Sequence, residues 1–123
     1  PDLAQTLIAV CPILGIPFHF TGLGTLKIKE TDRIEAMKRE MEKLGYILYD
    51  ENGTELSWNG ERCEPMAEPI IETYEDHRMA MSFAPLAIKL GEIRINNPEV
   101  VSKSYPHYWD DLRKAGFHIQ QVD

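Results

Sequence analysis

Lys29-Glu30-Thr31-Asp32-Arg33-Ile34-Glu35-Ala36-Met37-Lys38-Arg39-Glu40-Met41-Glu42-Lys43-Leu44-Gly45 is the stretch from which the rest of the chain can be read. Ile34, Met37, Met41 and Leu44 recur at i, i+3, i+7 and i+10, the spacing of one buried helix face. Glu35, Lys38, Arg39, Glu42 and Lys43 fill the other face. Asp32 suits the N-cap, Glu35 its capping-box partner, and Gly45 the position just past the C-terminus. The charged residues 29–33 therefore open a helix, where free N–H groups and the positive dipole end favour an anion. Lys29 and Arg33 suit phosphate or carboxylate, and Glu30 sets a proton carrier beside them. The same residues would also suit a capped surface helix laced by i,i+4 ion pairs, so the cluster alone does not decide between site and surface.

Upstream, residues 3–14 are apolar nearly all round, which predicts a helix buried on most sides, with Asp2 at its start, Pro12 in its last turn and Gly15 at its end. Residues 18–21 read as a strand and 26–28 as its extended continuation. Downstream, a strand is expected over 46–49, a hairpin turn at Asn52-Gly53 and a return strand over 55–58. A short strand follows over 69–73. Asp76-His77-Arg78 then opens a second all-apolar helix running to Leu90, with Pro85 inside it and Gly91 after it. Residues 93–95 read as a strand, 105–115 as an amphipathic helix entered by Pro106, and 117–122 as the last strand.

The halves match. Asp2 to Asp76 is a shift of 74 residues, Gly15 to Gly91 of 76, Lys29 to Lys103 of 74 and Gly45 to Gly116 of 71. Each half runs acidic residue, buried helix, Gly, strand, Lys, amphipathic helix, Gly, strand, an internal repeat over about 2–58 and 69–122. If the two units pack side by side with common polarity, the helix entries carrying Asp2, Lys29, residues 76–78 and Lys103 gather their cations at one end.

A chain of 123 residues with 43% hydrophobic and 27% charged residues is globular and about one domain in size. No apolar run reaches a membrane span, and no signal-peptide pattern is present. The net charge of −7 argues against general nucleic-acid binding but not against a small anion held by local cations. Cys11 and Cys63 show no metal spacing and fit incidental thiols of a reduced, cytoplasmic protein. The opening Pro1-Asp2-Leu3, helical in pattern at once and without methionine, is expected of a piece of a longer protein.

Residues 26–33 (Leu-Lys-Ile-Lys-Glu-Thr-Asp-Arg), 76–81 (Asp-His-Arg-Met-Ala-Met) and 102–106 (Ser-Lys-Ser-Tyr-Pro) occur in this order. Together they resemble the C-terminal part of the 5-enolpyruvylshikimate-3-phosphate synthase family, the shikimate-pathway transferases inhibited by glyphosate, over essentially the whole chain. The resemblance implies an α/β fold. Residues 1–123 would be part of one lobe of a two-lobed, inside-out α/β barrel enolpyruvyl transferase. They would form about two repeated βαβαββ units, with buried helices and outer sheets. It implies transfer of the enolpyruvyl group of phosphoenolpyruvate to the 5-hydroxyl of shikimate 3-phosphate, with release of phosphate, in aromatic amino acid and chorismate biosynthesis. No cofactor or metal would be needed. The partners implied are the two substrates and the other lobe of the same polypeptide, without nucleic acid or membrane.

By the same resemblance, Asp2 holds shikimate 3-phosphate hydroxyls and accepts a proton, and Lys29 contacts that substrate near the attacked hydroxyl. Glu30 carries the proton for the methylene carbon of phosphoenolpyruvate. Arg33, Arg78 and Lys103 bind its phosphate and carboxylate. His77, from its place beside Arg78, reads as a supporting residue, with direct chemistry as the lesser alternative. Arginine suits this work because its planar fork stays charged and binds such anions bidentately. Asp32 reads as a helix cap and a partner for Arg33, Asp76 first as a helix cap, the methionines at 37, 41, 79 and 81 as core, and Tyr105, Tyr108 and Trp109 as packing. Two other readings stay open: the related transferase acting on UDP-N-acetylglucosamine, and a non-catalytic anion-binding module. The fragment alone is expected to be inactive.

Overall fold

The computed structural model describes the backbone of residues 2–28 and 32–120, and the side chains of residues 4–26 and 32–120. The first helix, α1 (Asp2–Ile13), carries Pro12 in its last turn. Gly15, at φ +74°, turns the chain so that the Ile16 N–H reaches the Cys11 carbonyl at 2.8 Å and closes the helix end. A short strand, β1 (Phe18–Phe20), follows. Residues 26–28, expected to be extended, belong instead to a 3₁₀ turn, Gly24–Ile28. Leu23 and Leu26 are both buried, and the Leu26 N–H bonds the Leu23 carbonyl at 2.9 Å. A tight turn puts two apolar residues three apart on one side, which an extended segment would not.

Helix α2 (Arg33–Lys43) begins as its residues dictate, with Asp32 Oδ1 accepting from the Glu35 N–H at 3.2 Å. Tyr46 contributes one bridge to Arg62, and the strand expected over 46–49 starts only at its end, as β2 (Tyr49–Glu51). Asn52 and Gly53 both adopt left-handed φ (54° and 69°), and the turn closes from Thr54 N–H to Glu51 O at 3.0 Å. The return strand β3 (Glu55–Trp58) pairs antiparallel with β2 on one side and β1 on the other, giving the order β1-β3-β2.

Beyond a loop lie β4 (Ile70–Ile71) and α3 (His77–Phe83). The single helix expected from 76 to 90 is broken: a 3₁₀ turn over Ala84–Leu86 holds Pro85, which has no N–H to give an α-helical ladder, and α4 (Ala87–Leu90) follows. Ile88 is 78% exposed, so this segment is not buried all round. Strand β5 (Arg94–Ile95) pairs parallel with β4, the helical segments forming the crossover between them. A 3₁₀ turn, Pro98–Val101, leads to α5 (Tyr108–Lys114), which starts later than expected because the Tyr105 N–H is used by the Val101 carbonyl at 2.8 Å. The strand expected over 117–122 does not form across 117–120, where the Phe117 N–H bonds the Leu112 carbonyl at 3.0 Å and ends α5; the remainder lies outside the described residues.

The main core joins α1, α2, α3 and β3 through Ile8, Ile34, Met37, Met41, Leu56, Met79 and Phe83. A second cluster, with Ala80, Ala84, Val101 and Tyr108, takes Met81 and Trp109 partly buried against it, while Tyr105 packs edge-on to Tyr108. Gln5, fully buried, stands where three helix starts meet: its Nε2 lies 3.7 Å from Met37 Sδ and 3.5 Å from Met79 Sδ.

Candidate functional site

Arg33 is the first residue of α2 and lies four positions before Met37, on the stripe that the helix turns inward. Its side chain is 4% exposed and grips a fully buried carboxylate, with Nε 2.7 Å from Asp76 Oδ2 and Nη2 3.0 Å from Asp76 Oδ1. This is a two-point guanidinium–carboxylate pair, the geometry that fixes an arginine most firmly. Asp76 is also the N-cap of α3, its Oδ1 accepting the Arg78 N–H at 2.9 Å. One carboxylate therefore holds the guanidinium of Arg33 and the backbone N–H of Arg78, tying together two of the four cationic residues singled out in the sequence. His77 stands beside it, Nδ1 4.0 Å from Asp76 Oδ1. Lys103 is exposed, on the turn after Pro98–Val101, a segment packed against α3. Lys29, Glu30 and the side chain of Asp2 lie outside the described residues.

The chain reaches Asp76 through a costly turn. Tyr74 and Glu75 both sit at left-handed φ, 55° and 56°, which non-glycine residues adopt only where surroundings impose it. Thr73, buried, donates its hydroxyl to the Asn96 carbonyl at 3.1 Å and accepts the Asp76 N–H on its own carbonyl at 2.8 Å. Glu40, also fully buried, accepts from Lys43 Nζ at 2.7 Å, from the Glu72 N–H at 2.9 Å and from the Tyr74 hydroxyl at 2.6 Å. The Tyr74 phenol is pushed up to about 12, first by burial and then by its hydrogen bond to Glu40. Glu40 and the Asp76–Arg33 pairing were not read from the sequence. A signal existed: Glu40 and Arg33 share the helix stripe of Met37 and Met41, where an unpartnered charge would not be tolerated.

The class of fold is shown by solved structures. An EPSP synthase from Acinetobacter baumannii superposes with a TM-score of 0.75 at 22% identity, over 98% of this chain and 28% of that chain. A second structure of EPSP synthase from Acinetobacter baumannii gives 0.71 at 21% identity. This is the α/β fold of the enolpyruvyl transferases. The sequence narrows the class: the EPSP synthase (3-phosphoshikimate 1-carboxyvinyltransferase) family profile matches residues 1–112, and the chain belongs to that family. The 3-phosphoshikimate 1-carboxyvinyltransferase of Bacteroides fragilis is 67% identical over 120 residues, which is 98% of this chain and 29% of the relative. That of Pseudomonas syringae pv. syringae is 34% identical over 122 residues, again 29% of its length. The chain thus spans under a third of the relatives it matches.

Proposed function

We propose that this chain supplies part of the active site of a 3-phosphoshikimate 1-carboxyvinyltransferase, working with a further lobe of the same polypeptide. The observation that carries the reading is the 67% identity to the Bacteroides fragilis relative across 98% of the chain. In this reading the 5-hydroxyl oxygen of shikimate 3-phosphate attacks C2 of phosphoenolpyruvate while the methylene carbon takes a proton. The tetrahedral intermediate then loses phosphate from C2 and a proton from the methyl carbon, restoring the double bond and leaving the enol ether. Arg33, Arg78 and Lys103 bind the phosphate and carboxylate of phosphoenolpyruvate, and fixed positive charge stabilises the departing phosphate. Asp2 and Lys29 handle the attacked hydroxyl and Glu30 the methylene proton. Two free, half-buried thiols fit the cytoplasm as the compartment.

Calorimetry on the full-length protein tests the anion site. Arg78→Ala is expected to weaken phosphoenolpyruvate binding by roughly 2–4 kcal/mol, the cost of removing a partly buried charged contact. An unchanged affinity would remove Arg78 from the site.

A further inference from the structure

We propose that Asp76 is the positioning residue of the anion site: its carboxylate, delivered by the strained turn at Tyr74-Glu75, presets Arg33 and the Arg78 backbone before phosphoenolpyruvate arrives. The inference rests on the reading of the chain as part of a 3-phosphoshikimate 1-carboxyvinyltransferase.

Three independent features converge on this carboxylate. Both its oxygens are committed, Oδ2 to Arg33 Nε and Oδ1 to Arg33 Nη2 and the Arg78 N–H, so it fixes a plane for one arginine and the starting point of the next. A cap alone needs one oxygen on one N–H, and serine or asparagine does that as well. The second feature is the turn. Two consecutive non-glycine residues in the left-handed region are a standing cost that a cap does not require. The third is the buried carboxylate of Glu40. It reaches from α2 to the Glu72 N–H and the Tyr74 hydroxyl, so the helix that carries Arg33 also anchors the segment that carries its partner. Thr73 ties the same segment to the Asn96 carbonyl beyond β5. The turn is thereby held from two sides, and Asp76 has little freedom to follow Arg33 if Arg33 moves. Fixing the guanidinium in advance removes the ordering cost from ligand binding.

The test is steady-state kinetics on the full-length enzyme with Asp76→Asn and Asp76→Ser, both of which keep an oxygen for the α3 cap while losing the charged two-point grip. The expected result is a KM for phosphoenolpyruvate raised roughly tenfold or more, as for lost charge-assisted contacts, with the KM for shikimate 3-phosphate unchanged. A fall in thermal stability with both KM values unmoved would make the pair merely structural and overturn the proposal. If neither variant folds, hydrogen exchange at the Arg33 Nε–H of the wild-type enzyme decides. Slow exchange before phosphoenolpyruvate is added supports preorganisation; fast exchange that slows only with ligand contradicts it. Absence of wild-type turnover would defeat the functional reading instead, and the exchange measurement would still judge the role of Asp76.

Discussion

Arg33 and Glu40 are charged residues on the buried stripe of α2: Arg33 pairs with Asp76 far along the sequence, and Glu40 pairs with the nearby Lys43 and also accepts from the distant Glu72 N–H and Tyr74 hydroxyl. Taking Asp76 away would strand the Arg33 charge out of water, and breaking a buried pair of this kind costs roughly 3–5 kcal/mol even where its net contribution is small. The Tyr74 phenol carries a pH signature. Its folded value is about 12 against 10.0 when free, so the neutral form is favoured in the fold. Its contribution is therefore complete below pH 10 and is lost as pH rises toward about 12, because the unfolded chain ionises first. Tyr74→Phe is expected to flatten the decline in stability across that window, measured by urea denaturation at a series of alkaline pH values; an unchanged slope would dissociate Tyr74 from Glu40. At this scale the sequence was legible where partners are local. Asp32 and Glu35 are three apart, so the cap could be read directly. Arg33 and Asp76 are 43 apart, and only the folded chain shows that they meet.

Among the elements, periodicity was informative wherever one face alone is apolar. Helix α2 forms where its pattern predicts, and β3 coincides with the expected return strand because Asn52-Gly53 fixes the hairpin. Segments apolar all round gave no such guide. Nothing in the pattern of residues 76–90 says where Pro85 interrupts the ladder, and residues 26–28 look equally suited to a strand or a tight turn until Leu23 is seen packed with Leu26. The joint between α2 and the sheet depends on Gly45. It holds φ +100°, and a Cβ there would meet the Cys63 carbonyl oxygen at 3.1 Å and Pro65 Cβ at 3.3 Å. Gly45→Ala should therefore destabilise the protein by about 1–2 kcal/mol, from left-handed strain plus crowding against backbone. The midpoint of thermal unfolding reads this directly, and an unchanged midpoint would mean that residues 62–65 can retreat at no cost.

At the scale of the whole molecule, three helix starts meet around Gln5, and the entries of α2 and α3 are bolted together by Arg33 and Asp76. The chain as a whole carries a net charge of −7, so this junction of one arginine and one carboxylate is locally balanced. The family was legible from three short motifs occurring in a fixed order, and the profile match over residues 1–112 bears that resemblance out. The arrangement around Asp76 was not, because it arises from packing between the motifs. The chain covers 29% of the Bacteroides fragilis relative. The most direct measurement is phosphate release from phosphoenolpyruvate by the full-length protein and by residues 1–123 alone, offering shikimate 3-phosphate and UDP-N-acetylglucosamine in turn. The expected result is turnover by the full-length protein with shikimate 3-phosphate only, and negligible turnover by the 123 residues. Release with neither acceptor, or with UDP-N-acetylglucosamine in place of shikimate 3-phosphate, would contradict it.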